Sequence, residues 1–287
     1  MFELEIGYTG FLALIGATLF GLVAGLLGFF IVFRGYSLLV DVVCHATLPG
    51  TMIPYFFCST MYSSLCMLGG VLTGLLSILL VRLLQRQTSL KIDAILGVVV
   101  SFFFGLGLVL VTIIQKNSFA KQGILHSLFL GSAGLYRLVD LIFLIGVSLI
   151  ISAVIFVFFY QLYAFIFDPI MACLIGCSDS FYDRLLCANL IMLASVGLLV
   201  MGSIVMSAAI IIPPVFAKQV TYSFKYGMIV SGFYGGLMGF VGTFMSLFFQ
   251  NMPTGPLIAV CLGTGLVFVI ILKRVFTGLF CRPVSHD

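Results

Sequence analysis

Apolar runs of about twenty residues recur along the whole chain and are separated only by short polar segments. A run of that length spans a bilayer as an α-helix, whereas a strand of a transmembrane barrel needs only about ten residues of alternating polarity. Charged residues make up 8% of the 287 residues, against about 25% in soluble domains. The sequence therefore predicts an all-α polytopic membrane protein, with residues 1–287 forming a single transmembrane domain.

The apolar runs predict nine transmembrane helices, and eight is the alternative. The predicted spans cover about residues 11–33, 36–57, 64–83, 93–114, 138–165, 185–202, 203–217, 228–249 and 257–272. The stretch 185–216 is too long for one upright span and too short for two, since a span needs about 20 residues. We therefore expect 203–217 to be short or re-entrant and to be broken at Pro213 and Pro214. If it does not cross, eight crossings remain.

Basic residues predict the orientation of these spans, because positive charge accumulates in cytoplasmic loops. Basic residues follow the first span at Arg34, the third span in the loop 82–91 and the last span at Lys273. These positions place the N-terminus outside and the C-terminus in the cytoplasm. The segment 115–137 is basic yet predicted to be external, so we interpret it as containing an interfacial helix. Its His126 is expected to be an interface residue rather than a metal ligand.

Asp41 and His45 are an ionisable pair inside the second span. Their spacing places both side chains on one face of a helix. Counted from Arg34, they lie roughly 10 and 16 Å along the helix, near the centre of the bilayer. A carboxylate oxygen and an imidazole nitrogen suit divalent ions such as manganese, iron or zinc, and a pair of ligands would release the ion readily. The alternative is a neutral hydrogen bond between the two side chains that fixes helix packing.

Motifs of enzymatic chemistry are absent from the sequence. No P-loop, HExxH or GxSxG pattern occurs, so the chain has no nucleotide-hydrolysis motif of its own and an enzyme is not indicated. The cysteines lack zinc-type pairing and are expected to be small buried apolar residues. The net charge of +4 lies in short loops, which indicates topology rather than a nucleic-acid surface. A pathway for a polar solute or ion is the function that uses the buried pair.

The polar segment at about 167–183 is predicted to be a short cytoplasmic docking helix. Asp168 and Pro169 are typical of a helix start. Ala172 and Gly176 follow on one helical face, and small residues there allow another protein to approach closely. A simple connection within a helical hairpin is the alternative.

The stretch RGYSLLVDVVCHATLPG at 34–50 resembles the signature of the membrane permeases of ATP-binding cassette importers for manganese, zinc and iron. The aspartate, the histidine and the leucine-proline-glycine ending all match, while Cys44 stands where the family usually has serine. The resemblance continues in the family's order through LKIDAILGVVVSFFFGLGLVL, FDPIMACLIG, MSAAIIIPPVFAKQV and NMPTGP. In the last motif, Asn251 and Met252 replace an aspartate and a leucine. The resemblance extends over residues 10–275.

This resemblance implies a type II ABC importer-like permease of the bacterial cytoplasmic (inner) membrane, which imports divalent metal ions by alternating access. It implies that the protein contacts membrane lipid. It implies neither a permanently bound cofactor nor a nucleic-acid partner. The implied protein partners are cytoplasmic ATPase subunits, an extracytoplasmic metal-binding protein and a second permease subunit, in a homodimer or a heterodimer. Asp41 and His45 match the family's metal-coordinating positions. The family's ATPase-coupling positions correspond to Phe167, Asp168, Pro169, Ala172 and Gly176.

Two other transport classes are compatible with the residues alone. A permease for metal chelates or corrinoids would need a wide cavity and would not need Asp41 and His45. A secondary metal transporter driven by an ion gradient would need no ATPase partner.

Overall fold

The computed structural model describes residues 7–58, 63–116, 137–167, 179–249 and 252–280, and the regular secondary structure within these ranges is helical. The described ranges contain ten helices. In chain order they are α1 (Tyr8–Phe33), α2 (Ser37–Cys58), α3 (Ser63–Gln87), α4 (Ile92–Lys116), α5 (Leu138–Val157), α6 (Phe159–Phe167), α7 (Asp179–Met201), α8 (Ser203–Val220), α9 (Phe224–Phe248) and α10 (Thr254–Phe280). The all-helical membrane fold predicted from the apolar runs is confirmed.

Eight of these helices are long and apolar enough to cross a membrane, namely α1 to α5, α7, α9 and α10. The apolar part of α8, Val205–Val220, is shorter. Its full 18 residues correspond to about 27 Å of helix, slightly less than the roughly 30 Å of a hydrocarbon core. The short segment predicted between the sixth and eighth spans is therefore a helix of nearly spanning length.

Basic residues gather at one end of the helix bundle, which we call the basic end. It is defined by Arg34, Arg82, Lys218 and Lys273. Near the end of α8, the ammonium group of Lys218 lies 5.7 Å from the centre of the Phe33 ring at the end of α1. Near the start of α7, Asp183 forms an ion pair with Arg82 and accepts a hydrogen bond from Tyr36, which follows α1. Since α7 leaves the basic end and α8 returns to it, the described helices agree with nine passages, of which α8 is the short one.

Two features predicted within the spans are wrong, although the boundary predicted between 185–202 and 203–217 is confirmed. The chain breaks at this boundary, at Gly202, where φ is 84°, but α8 continues through Pro213 and Pro214, where a second break was predicted. Glycine has no Cβ and adopts this left-handed backbone without steric cost, whereas prolines inside membrane helices are tolerated when neighbouring groups satisfy the freed backbone atoms. The single span predicted for 138–165 is two helices, because α5 closes at Phe158, whose N–H donates to the Val154 carbonyl.

Glycines determine the closest helix contacts. A Cβ at Gly21 of α1 would overlap the carbonyl of Gly235 in α9. Beside this contact, the Ser231 hydroxyl donates a hydrogen bond of 2.7 Å to the Gly25 carbonyl. A Cβ at Gly50 would likewise overlap the backbone of α3. Close backbone approach supplies the packing energy that membrane helices cannot obtain from the hydrophobic effect. The close contact with α3, together with packing against α4, fixes the position of α2, which carries the side chains of the candidate site.

Candidate functional site

Asp41 and His45 lie on one open stripe of α2 together with Leu38. Leu38 is 45% exposed and both members of the pair are half-buried. In contrast, the intervening residues 42–44 and the residues 46–52 beyond the pair are buried. The exposed face of α2, which we call the open stripe, therefore extends from the basic end as far as His45, and the helix is buried on all sides over residues 46–52.

The His45 ring packs against a neighbouring aromatic ring, while one of its nitrogen atoms lacks a hydrogen bond within the described part of the chain. It packs edge-on against the ring of Phe104 in α4, with the ring centres 5.0 Å apart and the planes at 68°. Its Nδ1 atom is buried and has no hydrogen-bond partner among the described residues, although the Asp41 carboxylate is near enough to interact electrostatically with the ring. An unpaired buried polar atom costs about 1–3 kcal/mol. The imidazole therefore has capacity for a further polar group, such as a water molecule or a cation.

The open stripe supplies a carboxylate and an imidazole and no third strong ligand. Within the described ranges, no group of three or more His, Cys, Asp or Glu side chains could enclose a metal ion. Cys44 lies between the two residues in sequence, but its side chain is completely buried and lies off the stripe. A cation at the pair would thus keep several coordination positions free for water or for groups from another chain.

A cavity of about 260 Å³ lies at the basic end between α2, α3, α4 and α7. Its polar lining includes Tyr36, Arg82, Asp93 and Asp183, and Leu38 of the open stripe also lines it. Since Leu38 precedes Asp41 by about one helical turn, the cavity extends from the basic end to within about one turn of the pair.

Asp183 is a polar residue that sequence reasoning did not single out. One of its carboxylate oxygens accepts a hydrogen bond of 2.7 Å from the Tyr36 hydroxyl. The other pairs with the Arg82 guanidinium at 2.8 Å. Burial, and then the hydrogen bond to Asp183, raise the pKa of Tyr36 to about 12, so this hydroxyl stays protonated at physiological pH. The only signal in the sequence was that Arg82 and Asp183 both border apolar runs at the side predicted to be cytoplasmic.

Phe167 is the one member of the predicted coupling set within the described residues. Its ring is 53% exposed and lies 5.0 Å from Tyr163, 5.1 Å from Phe224 and 6.3 Å from Phe33, measured between ring centres. The end of α6 thereby contacts the ends of α1 and α9. Outside the described residues lie Asp168, Pro169, Ala172, Gly176, His126 and Asn251.

The chain matches a family model over most of its length. The model is that of the ABC 3 transport family, and it matches residues 9–274.

Relatives with assigned names are membrane components of metal transport systems. The manganese transport system membrane protein MntC of Bacillus subtilis (strain 168) is 32% identical over 270 residues, which are 94% of this chain and 60% of that protein. This chain thus spans about three fifths of that relative's length. The zinc transport system membrane protein TroC of Treponema pallidum (strain Nichols) is 31% identical over 258 residues, or 90% of this chain and 86% of that protein.

A solved structure has a similar fold over nearly the whole chain. It is PsaBC from Streptococcus pneumoniae in complex with Fab, with a TM-score of 0.82 and 26% sequence identity. The match covers 93% of this chain and 92% of that chain.

Proposed function

The chain belongs to the ABC 3 transport family, and from this premise we propose that it is the membrane permease subunit of an ATP-driven importer of divalent transition-metal ions. Relatives named for manganese and for zinc transport support the class of cargo. One carboxylate and one imidazole do not select among manganese, zinc and iron, since all three accept such ligands. The metal ion is cargo, and no permanently bound cofactor forms part of the proposal.

The observation that carries the proposal is the pair on the open stripe of α2. A carboxylate inside a membrane costs at least about 2.5 kcal/mol on insertion scales, so such a residue is usually functional. Here it lies beside an imidazole whose Nδ1 has no hydrogen-bond partner within the described part of the chain. Asp41 and His45 together form a weak two-ligand site, which binds an ion in transit without retaining it.

A second permease subunit, identical or homologous, would cover the open stripe. Half-buried charge facing lipid is unfavourable, and the stripe leaves both ligands accessible from outside the chain. A partner across this face, or water, would complete the coordination shell. An extracytoplasmic metal-binding protein would deliver the ion on the opposite side.

Energy would enter from cytoplasmic ATPase subunits, because the chain has no P-loop. We assign their docking to the segment at about 167–183, through Phe167, Asp168, Pro169, Ala172 and Gly176. The aromatic contacts of Phe167 with α1 and α9 would pass a displacement of this segment to the bundle. Alternate opening of the two membrane faces would then move the ion from the metal-binding protein to the cytoplasm.

The basic end would be cytoplasmic under the positive-inside rule. α1 then starts outside and α10 ends in the cytoplasm, within a single transmembrane permease domain of a bacterial cytoplasmic membrane.

The test is metal uptake by proteoliposomes that contain the permease, its ATPase subunits and its metal-binding protein. We expect Asp41→Asn and His45→Ala to abolish accumulation of Mn²⁺ and Zn²⁺ while leaving assembly with the ATPase unchanged. Asp140→Asn is the matched control, since it removes a carboxylate of the first turn of α5, on a different helix from the stripe. Near-normal uptake by either pair variant would overturn the site assignment. Uptake that needs no ATPase would indicate a secondary transporter, and uptake of a chelate would indicate the wider-cavity class.

A further inference from the structure

Helices α2, α3 and α7 meet at the Asp183 carboxylate, at the basic end. Tyr36, directly before α2, donates to one carboxylate oxygen, and Arg82 of α3 donates to the other. The side chain of Asp183 is 24% exposed and that of Arg82 is 39% exposed, so the cluster is partly shielded from solvent. Hydrogen bonds to a charged group in such a setting are shorter and stronger than those between neutral groups.

Tyr36 is rigidly connected to α2. Its carbonyl accepts a hydrogen bond of 3.2 Å from the Val40 N–H, and its own N–H donates to the Ile31 carbonyl at 3.0 Å. Gly35, with φ of 82°, allows the tight reversal between α1 and α2. A displacement of the Tyr36 hydroxyl therefore moves the first turn of α2, and Asp41 follows about 7.5 Å further along the same helix.

Asp183 lies about one turn into α7, which begins at Asp179, and is the last residue of the segment at about 167–183 that is assigned to ATPase docking. Its carboxylate cannot turn freely, since Arg82 holds one oxygen while Tyr36 holds the other. A movement at the start of α7 is thus transferred to the start of α2 rather than absorbed by side-chain rotation.

We propose that Asp183 is a positioning residue for ion transport, which links movement of α7 to the position of Asp41 and His45 through the hydroxyl of Tyr36. This inference rests on the proposed function, because it supplies the route by which ATPase movement reaches the metal pair. Arg82 orients the carboxylate, and Tyr36 is the connection to α2.

Tyr36→Phe is the decisive variant, because it removes only the hydroxyl and keeps the ion pair and the ring. The measured quantity is the number of Mn²⁺ or Zn²⁺ ions accumulated per ATP hydrolysed by the full complex in proteoliposomes. We expect this coupling ratio to fall about tenfold, which corresponds to about 1.4 kcal/mol, while basal ATP hydrolysis and assembly stay at the wild-type level. Tyr234→Phe is the matched control, because it removes a buried tyrosine hydrogen bond between α9 and α10 and should leave the ratio unchanged.

A cargo-independent measurement keeps this inference separate from the choice of substrate. Leu38→Cys, introduced after replacement of the native cysteines, reports the exposure of the open stripe through its rate of maleimide labelling. We expect ATP binding to change this rate in the otherwise wild-type complex and to leave it unchanged when Tyr36→Phe is added. If wild-type complex accumulates neither ion, the proposed function fails, and the labelling still decides whether the link exists.

Asp183→Glu and Asp183→Asn separate the charge of this residue from its size. Asp183→Glu keeps the charge and can accept both hydrogen bonds, so it should retain most of the wild-type coupling ratio. Asp183→Asn loses the ion pair and should not retain it. An ATP-dependent labelling change in Tyr36→Phe equal to that of wild type would overturn the proposal. A loss of coupling in Tyr234→Phe as large as in Tyr36→Phe would also overturn it, by showing a general packing effect.

Discussion

Replacing Gly21 by alanine is expected to destabilise the helix bundle, although alanine is the better helix former. A Cβ at this position would overlap the carbonyl oxygen of Gly235 and lie 2.7 Å from the carbonyl carbon. Carbon atoms pack at about 3.5–4.0 Å, so α1 and α9 would have to separate by about 1 Å at this point. Both groups in the contact are backbone, and no side-chain rotation can relieve the overlap.

Two opposing contributions decide the size of this effect. Alanine is favoured over glycine in a helix interior by about 1 kcal/mol. Overpacking costs about 1–3 kcal/mol, and a gap of about 1 Å removes up to half of the dispersion energy of the surrounding contacts. Together these contributions predict that Gly21→Ala lowers the free energy of unfolding by about 1–2 kcal/mol.

Gly146→Ala is the control for Gly21→Ala, because among the described residues no atom outside the adjacent backbone of its own helix lies within 4 Å of the added Cβ. Only helix propensity acts there, and a gain of up to about 1 kcal/mol is expected. Titration of both variants with SDS, followed by circular dichroism, measures the free energies of unfolding against wild type. A Gly21→Ala protein as stable as Gly146→Ala would refute the packing argument for α1 and α9.

Three further substitutions test separate parts of the argument. Ser231→Ala removes the hydrogen bond to the Gly25 carbonyl and should lower the free energy of unfolding by about 1 kcal/mol in the same titration; no change would show that this bond contributes nothing net. Phe104→Leu removes the ring packed against His45, and we expect a higher KM for metal uptake with abundance unchanged, whereas an unaltered KM would mean that the ring does not orient the imidazole. Gly176→Leu should allow ATP hydrolysis without uptake, and intact coupling would argue against docking at this segment.

The Asp41 and His45 pair could be identified from the sequence because the relation between the two residues is local. A spacing of four residues places them on one face of any helix, whatever surrounds it. Their openness is not local. The buried residues 46–52 and the exposed Leu38 result from how α3 and α4 pack along α2, so sequence spacing could not show that the pair is reached from the basic end.

The proline pair inside α8 shows the same limit. Two consecutive prolines are strong helix breakers by propensity, so a break was predicted there in addition to the boundary near residue 202. The boundary is confirmed at Gly202, yet α8 continues through Pro213 and Pro214. Propensity describes the isolated helix, and in a membrane the packing of neighbouring helices decides whether missing backbone hydrogen bonds are tolerated.

The sequence by itself determined the all-helical membrane fold, the approximate spans and the shared face of Asp41 and His45, because these follow from the length of apolar runs and from the helical repeat. Only the tertiary structure decided which polar groups meet at the basic end. Asp183 lies 101 residues from Arg82 and 147 residues from Tyr36 along the chain. No periodicity relates such distant positions, and their contact exists only because the packing of the helices places their ends together.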